Sequence, residues 1–383
     1  MLKRTIYEEE HEIFRQTVRK WAESEVFPNG EAWRTAGCVG PEIWKKAGDQ
    51  GFLCMYADEE FGGLGLDDFR YDMILAEEIG PREPGFFINL HNRIVGPYLH
   101  KLGTPDQKAR FMPGIIAGET VLAIAMTEPG TGSDLGAIKT RAVELDDHWI
   151  LNGSKTYISN GILAGLVVVA ARTGDGHQIG LFLVEDGTKG FGRGRKLRKM
   201  GLASQDTAEL FFEDVKVPKS NVLGDPHEGF KVMMMNLAEE RIMGALGFMA
   251  RAEYAFDITM NYITERRAFG QTIGAFQNSR FKMASMRTEL DAGWALTDHC
   301  ARAHLQGELS PEMAAEAKLF TSEVEGRVVD DCVQLHGGAG YMDEYEISRL
   351  YRDARISRIY AGTSEIMREI IGRGLGLDAR KRN

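Results

Sequence analysis

The spacing of apolar side chains divides the chain into three textures. From Tyr7 to about Gly118 the pattern is helical. EHEIFRQTVRKWAESEV carries Ile13, Phe14, Val18 and Trp21 at helical spacing and predicts an amphipathic surface helix. GPEIWKKAGDQGF opens on a Gly-Pro break, with its proline suited to a helix start. DFRYDMILAEEIG and DQKARFMPGIIAG predict further helices, and FGGLGL at 61–66 has too little side-chain mass to pack as one.

From Val121 to about Gly224 the period shortens. TVLAIAM, HWILNGSKTYIS, GLVVVAAR, IGLFLVE and AELFFEDVKV alternate with Gly, Asn and Asp turns and predict the strands of a small sheet or barrel. From Phe230 onward helical patterns return. The segment from Glu240 to Arg267 lacks proline and repeats Ile242, Leu246, Met249 and Phe256 at helical spacing. Further helices around 276–306, 311–335 and 343–356 complete an expected four-helix bundle. Helices, then strands, then helices, without βαβ alternation, predict an α+β fold. Its expected parts are an N-terminal helical domain at 1–120, a middle β-barrel-like domain at 121–227 and a C-terminal helical bundle at 228–383.

Composition narrows the function classes only modestly. The 383 residues are 43% hydrophobic and 27% charged, as in an ordinary soluble protein with room for two or three domains. A net charge of -10 disfavours nucleic acid as the main partner, while leaving an anionic substrate open to a local cluster of donors. Cys38, Cys54, Cys300 and Cys332 form no CxxC pair, so neither a metal site nor a disulfide framework is expected. No apolar run approaches the roughly 20 residues that cross a bilayer, and MLKRTIYEEEHEIFRQ lacks a secretory apolar core. The expected location is cytoplasmic, although a processed protein of the mitochondrial matrix would read alike. GRG at 192–194 lacks GxGxxG spacing and GTGSD at 130–134 lacks the P-loop lysine, so any dinucleotide is held by another fold.

Two stretches carry candidate chemistry. AMTEPGTGSDLGAIKTRA at 125–142 combines glycines and small hydroxyls that bring backbone N–H groups close to a ligand, or simply connect domains. NGSKTYISNG at 152–161 places Tyr157 and Ser159 on one strand face, where the tyrosine can stack on a ring or fill a core. His336, before two glycines, suits packing or a backbone hydrogen bond, and Cys332 suits a quiet place on a bundle helix.

Together with MGLASQDTAELFFEDVKVP, ERRAFGQTIGAFQ, VQLHGGAGYM and IYAGTSEIMREIIGR, TEPGTGSD and SKTYISNG resemble the acyl-CoA dehydrogenase family over nearly the whole chain. The resemblance implies FAD between the β-domain and the C-terminal helices, with part of its site supplied by a neighbouring subunit. It places Met126, Thr127, Tyr157 and Ser159 beside the flavin. Arg266, Phe269, Gln334 and Gly338 would contact the adenosine-diphosphate part of a partner's FAD. Thr363 and Glu365 would also touch the cofactor, and Ser133 would face the thioester ligand near its CoA portion.

The implied reaction is α,β-dehydrogenation of an acyl-CoA to the trans-2-enoyl-CoA, as in β-oxidation of fatty acids. It takes a carboxylate base and donors to the thioester oxygen. Many relatives carry a glutamate immediately before the Gly-Thr of the C-terminal loop, and here that position is Ala361. Its backbone N–H remains an oxyanion donor, to be paired with a ribityl hydroxyl of FAD. A subgroup resembling the isovaleryl and long-chain enzymes carries the base on a bundle helix. MMMNLAEERIMGALGF matches that stretch and selects Glu240, followed by Arg241 at the substrate, with Glu239 as the solvent-facing or capping alternative. Small residues at Ala238 and Gly244 leave room for a long or branched chain. A homotetramer and an electron-transfer flavoprotein as acceptor are implied as well. The rival readings are an oxygen-using acyl-CoA oxidase and a non-catalytic FAD-containing acyl-CoA-binding protein.

Overall fold

The computed structural model describes residues 2–176 and 178–377. Six α-helices come first: α1 Glu9–Trp21, α2 Gly30–Ala36, α3 Glu42–Asp49, α4 Phe69–Ile79, α5 Gly96–Leu102 and α6 Pro105–Ile116. Glu8 and His11 form a capping box at the start of α1. The buried face of this helix differs by one position from the sequence reading. Ile13 is exposed, while His11, Val18 and Trp21 are buried. One residue is about 100° of helical rotation, so the stripe that holds His11 against Asp68 at 3.2 Å turns Ile13 outward. Thr104 caps α6 in a reciprocal capping box with Gln107, and Pro113 lies inside this helix rather than ending it.

The middle of the chain is an eight-stranded sheet: β1 Leu122–Ala125, β2 Arg141–Glu144, β3 His148–Ser159, β4 Leu166–Arg172, β5 Ile179–Glu185, β6 Phe191–Lys196, β7 Thr207–Pro218 and β8 Val222–Leu223. The order is β6-β7-β3-β2-β4-β5-β8, with β1 parallel to β4 in the register Leu122 to Leu166. The five apolar runs read from the sequence are β1, β3, β4, β5 and β7. RAVE and FGRGRK, which become β2 and β6, are short and charged and give no apolar signal. An edge strand such as β6 gains from charge, which discourages pairing with other chains.

Five helices follow: α7 Gly229–Glu265, α8 Gln277–Leu305, α9 Pro311–His336, α10 Glu346–Ala354 and α11 Ser364–Gly374. A two-residue ribbon joins α7 to α8, made of β9 Arg267–Ala268 and β10 Gln271–Thr272. One core cluster runs along α7, α8 and α9 through Leu246, Met249, Leu290, Val324 and Val328, and takes in Phe69 and Met73 of α4. The N-terminal helices therefore pack directly on the C-terminal bundle. His336 is stacked on Tyr262 at 4.2 Å and meets the Cys332 carbonyl at 2.8 Å, which is a packing role. Among the described residues, no helix is long and apolar enough to cross a membrane.

Candidate active site

The ends of β1 and β3, the first half of α7 and the loop before α11 enclose a cleft of about 620 Å³. One wall begins with TEPGTGSD. Glu128 is buried and accepts from the Lys139 and Thr140 backbone N–H groups at 2.7 and 2.8 Å. Lys155 of β3 donates to Glu128 at 2.9 Å and to the Met126 carbonyl at 3.0 Å. Burial pushes this ammonium down to about 8, against the opposing pull of Glu128. The pair fixes the loop and turns Met126 and Thr127 into the cleft. A further backbone bond from Thr156 to the Thr127 carbonyl, 2.9 Å, ties the loop to β3.

At the same point the β3–β7 register shifts between Lys155 and Ile158. Tyr157 takes a left-handed backbone, φ 59°, and its ring is 70% exposed on the cleft wall, with Ser159 beside it. Such a backbone is costly for a residue with a Cβ, and the bulge holds it. Tyr157 is therefore a presented ring rather than a core tyrosine.

The facing wall is α7. Glu240 and Arg241 both line the cleft and both are buried. Asn236, one turn earlier, donates to Glu240 Oε1 at 3.0 Å, and Tyr98 of α5 donates to the same oxygen at 3.3 Å. Tyr98 is positioned by a π-helical segment, Leu90–Val95, that runs straight into α5. Asn92 and Arg93 anchor this segment to Asp72 of α4 at 2.8 and 2.6 Å. Burial drives the Glu240 carboxyl up to about 7, with Asn236, Tyr98 and Arg241 pulling the other way. Arg241 Nε is buried without a hydrogen-bond partner, and desolvation lowers its affinity for its proton.

Glu239 is not the solvent-facing residue expected from sequence. It is buried about 100° further round α7, between Lys101 at 3.3 Å, Arg93 at 3.6 Å and His304 at 3.9 Å. The angular step between consecutive helical positions separates the two acids, and the neighbouring cations claim Glu239. Ala238 packs on the bundle core rather than on the cleft. Gly244 lines a second, smaller cavity next to it.

The third wall is the loop at 361–362 with the start of α11, and Thr363 lies just outside the lining. Ala361 and Gly362 both line the cleft and both have positive φ, 53° and 92°. Thr363 caps α11 by accepting from the Ile366 N–H. Lys318 of α9 is buried and donates to the Gly362 carbonyl at 2.6 Å, and burial pushes it down to about 8. A side-chain carboxylate is absent at 361, and of the three acids that line the cleft, Asp134, Glu240 and Glu369, Glu240 is the buried one.

Of the residues singled out in the sequence, Met126, Thr127, Ser133, Tyr157, Ser159, Glu240, Arg241 and Ala361 converge here. Arg266, Phe269, Gln334, Gly338 and Glu365 do not, and all five are exposed. Phe269 is 95% exposed at the β9–β10 turn, with φ 51°. Sequence reasoning missed Tyr98, Asn236, Lys155 and Lys318. Lys155 sits inside a quoted motif and was legible there. Tyr98 is separated from Glu240 by 142 positions, and nothing in its local pattern signals the contact.

Comparison with known proteins settles the family. Three models match in chain order: the acyl-CoA dehydrogenase N-terminal domain at residues 8–119, the middle domain at 123–215 and the C-terminal domain at 227–376. The chain belongs to the acyl-CoA dehydrogenase family. It is 44% identical to the long-chain specific acyl-CoA dehydrogenase, mitochondrial, of Sus scrofa, over 97% of this chain and 87% of that one. A crystal structure of acyl-CoA dehydrogenase from Geobacillus kaustophilus superposes with a TM-score of 0.95 at 44% identity, covering 96% of this chain and 98% of that one. A chain solved in work on the electron transferring flavoprotein of Acidaminococcus fermentans gives 0.92 at 37% identity, covering 98% and 100%. This acyl-CoA dehydrogenase is thus a FAD-dependent oxidoreductase of fatty acid metabolism. The N-terminal helical, middle β and C-terminal helical organisation agrees with the fold expected from sequence.

Proposed function

We propose that this acyl-CoA dehydrogenase converts long-chain acyl-CoA thioesters to trans-2-enoyl-CoA, with Glu240 as the base. The observation that carries the assignment is a buried carboxyl, raised to about 7, on the wall of the one cleft that also holds Tyr157 and Ala361. A base poised near the working pH combines sufficient ionisation with sufficient proton affinity.

The cleft walls fit a flavin. An exposed aromatic ring on a fixed backbone, Tyr157, stands with Met126, Thr127 and Ser159 on the side opposite α7. FAD held there supplies the hydride acceptor for the substrate β-carbon. Asn236 and Tyr98 hold Glu240 Oε1, and among the described residues no hydrogen bond holds Oε2. Oε2 takes the α-proton. The Ala361 N–H donates to the thioester oxygen, and Lys318, by holding the Gly362 carbonyl two peptide units further on, steadies the loop that carries it. Ser133 and Arg241 contact the CoA end and the acyl group respectively. The exposed Arg266, Phe269, Gln334 and Gly338 contact the adenosine end of FAD across a subunit boundary, while Thr363 and Glu365 flank it from the α11 start. This arrangement requires at least a dimer, and we assign a dimer of dimers. The three segments bounded near 120 and 227 act as its domains.

Long-chain preference follows from the similarity to a long-chain specific relative and from the second cavity beyond Gly244, about 50 Å³. Similarity to the chain from the Acidaminococcus fermentans work supports an electron-transfer flavoprotein as acceptor. The test is an anaerobic titration with short, long and branched acyl-CoAs, following flavin absorbance and product mass. Prompt bleaching with enoyl-CoA formation, strongest for long chains, supports the proposal. An oxidised flavin with every thioester overturns it, and peroxide formed in step with turnover under oxygen replaces it with an oxidase.

A further inference from the structure

One helical stripe on α7 carries Glu240, Gly244, Gly247 and Arg251, at intervals of four, three and four residues. Eleven residues at 1.5 Å each put Arg251 about 16 Å along the axis from the base. The second cavity lies on this stripe. It is walled by Gly244, Gly247 and Arg251, and by Asn89 and Tyr360, which directly adjoin the Leu90 and Ala361 of the main cleft. The two spaces have no lining residue in common but lie on the same three stretches of chain, and an acyl chain that passes from one to the other runs from Glu240 over the two glycines toward Arg251.

An acyl channel for plain alkyl chains has no use for polar groups at its end, yet this one has three. Arg251 Nη2, Asn89 Oδ1 and Gln205 Nε2 are all buried without a hydrogen-bond partner, and all three residues line the cavity. Unmatched buried polar atoms are costly and rare. Two of these are donors and one is an acceptor. Arg251 is otherwise committed, through Nε, to Glu325 of α9 at 2.7 Å, whose Oε2 is also buried without a partner, the Tyr360 hydroxyl is a further hydrogen-bond partner at the cavity wall, and Asp353 of α10 adds negative charge nearby. A ligand carboxylate would join two existing acidic groups and face the Asn89 carbonyl oxygen. A hydroxyl both donates and accepts, and satisfies the set without adding charge.

We infer that Arg251, Asn89 and Gln205 form a polar floor to the acyl channel, selecting acyl-CoA thioesters whose chain carries a neutral oxygen, such as a hydroxyl, near its far end. This rests on the acyl-CoA dehydrogenase reading above. The reaction at the α- and β-carbons is unchanged, and the floor acts on binding and specificity alone.

The test is calorimetric binding of paired acyl-CoAs of equal length, alkyl and ω-hydroxy, over a series of long chains. Glu240→Gln holoenzyme serves as the non-turning-over background. The expected result is an ω-hydroxy partner that binds at least as tightly as its alkyl counterpart at the length that reaches the floor. Arg251→Met should then lower the hydroxy-to-alkyl affinity ratio about tenfold, the scale of one charge-assisted hydrogen bond. Gln205→Leu leaves the Arg251–Glu325 pair in place and should lower the same ratio severalfold, so the question is answered even where Arg251→Met does not fold. A ratio that stays constant in Gln205→Leu and in every folded Arg251 variant overturns the floor, the unmatched atoms then being served by water alone. An ω-carboxylate that binds better than the hydroxyl overturns its neutral character. Bleaching of native flavin by alkyl acyl-CoA, together with a constant ratio, would reject the floor while the dehydrogenase reading stands.

Discussion

Tyr98→Phe removes one oxygen and keeps the ring that packs in the core between the N-terminal helices and the sheet. The lost contact is the 3.3 Å hydrogen bond to Glu240 Oε1, which favours the ionised carboxylate. Hydrogen bonds to charged groups contribute about 1.5–3 kcal/mol, and the length of this one places it at the lower end. With 1.36 kcal/mol per pKa unit, the carboxyl should rise by about one unit from its present value of about 7. The assay is the pH profile of single-turnover anaerobic flavin reduction by a long-chain acyl-CoA. Its acid limb, where the base becomes protonated, should move to higher pH by that amount. At pH 7 the ionised fraction falls from about one half to about one tenth, so reduction slows about fivefold, while the alkaline plateau changes little. An acid limb that stays in place, or moves to lower pH, with FAD fully bound, refutes the role given to Tyr98.

Stability gives an independent view of the same carboxyl. Its folded pKa lies above the ordinary 4.5, so its contribution to stability is fully present below 4.5 and lost as pH rises through about 7. Above that, the ionised group opposes folding by about 3 kcal/mol. Glu240→Gln should therefore melt higher than the native protein at pH 8, and the difference should narrow as pH falls toward 4.5. Lys318→Met frees the Gly362 carbonyl and should slow flavin reduction at least tenfold with acyl-CoA binding largely kept, as read from rate and binding measured separately. The buried Arg251–Glu325 pair should cost about 3–5 kcal/mol when either member alone is made apolar, and less when both are replaced together, as measured by denaturant unfolding.

Much of the fold was legible because long apolar periods leave few alternatives. The runs IGLFLVE and GLVVVAAR became β5 and β4, buried over nearly their whole length, and 311–335 became α9 with one residue added. Elements built from charge and turn geometry were not legible. FGRGRK forms an edge strand whose pairing with β7 is set by the backbone, and α7 begins eleven residues before Glu240, through a methionine-rich stretch with no periodic contrast. The site divides along the same line. Met126, Thr127, Ser133, Tyr157, Ser159, Glu240, Arg241 and Ala361, carried by contiguous motifs, line one cleft. Glu239 could not be placed from AEER, because the cations that bury it come from Arg93, Lys101 and His304, distant in sequence. Local spacing gives the angle between two acids but not which of them meets a cation on another element. Tyr98, Asn89 and Gln205 owe their importance to the same kind of distant contact.

Proton removal is proposed to belong to Glu240 and not to its neighbour. Single-turnover flavin reduction in Glu240→Gln and in Glu239→Gln, each with FAD and acyl-CoA bound, tests it most directly. Reduction should be at least about a hundredfold slower in the first and within about tenfold of native in the second, since general-base catalysis is commonly worth about 10²–10⁴-fold. A Glu240→Gln enzyme that bleaches at the native rate, or a Glu239→Gln enzyme that alone has lost the reaction, would contradict it.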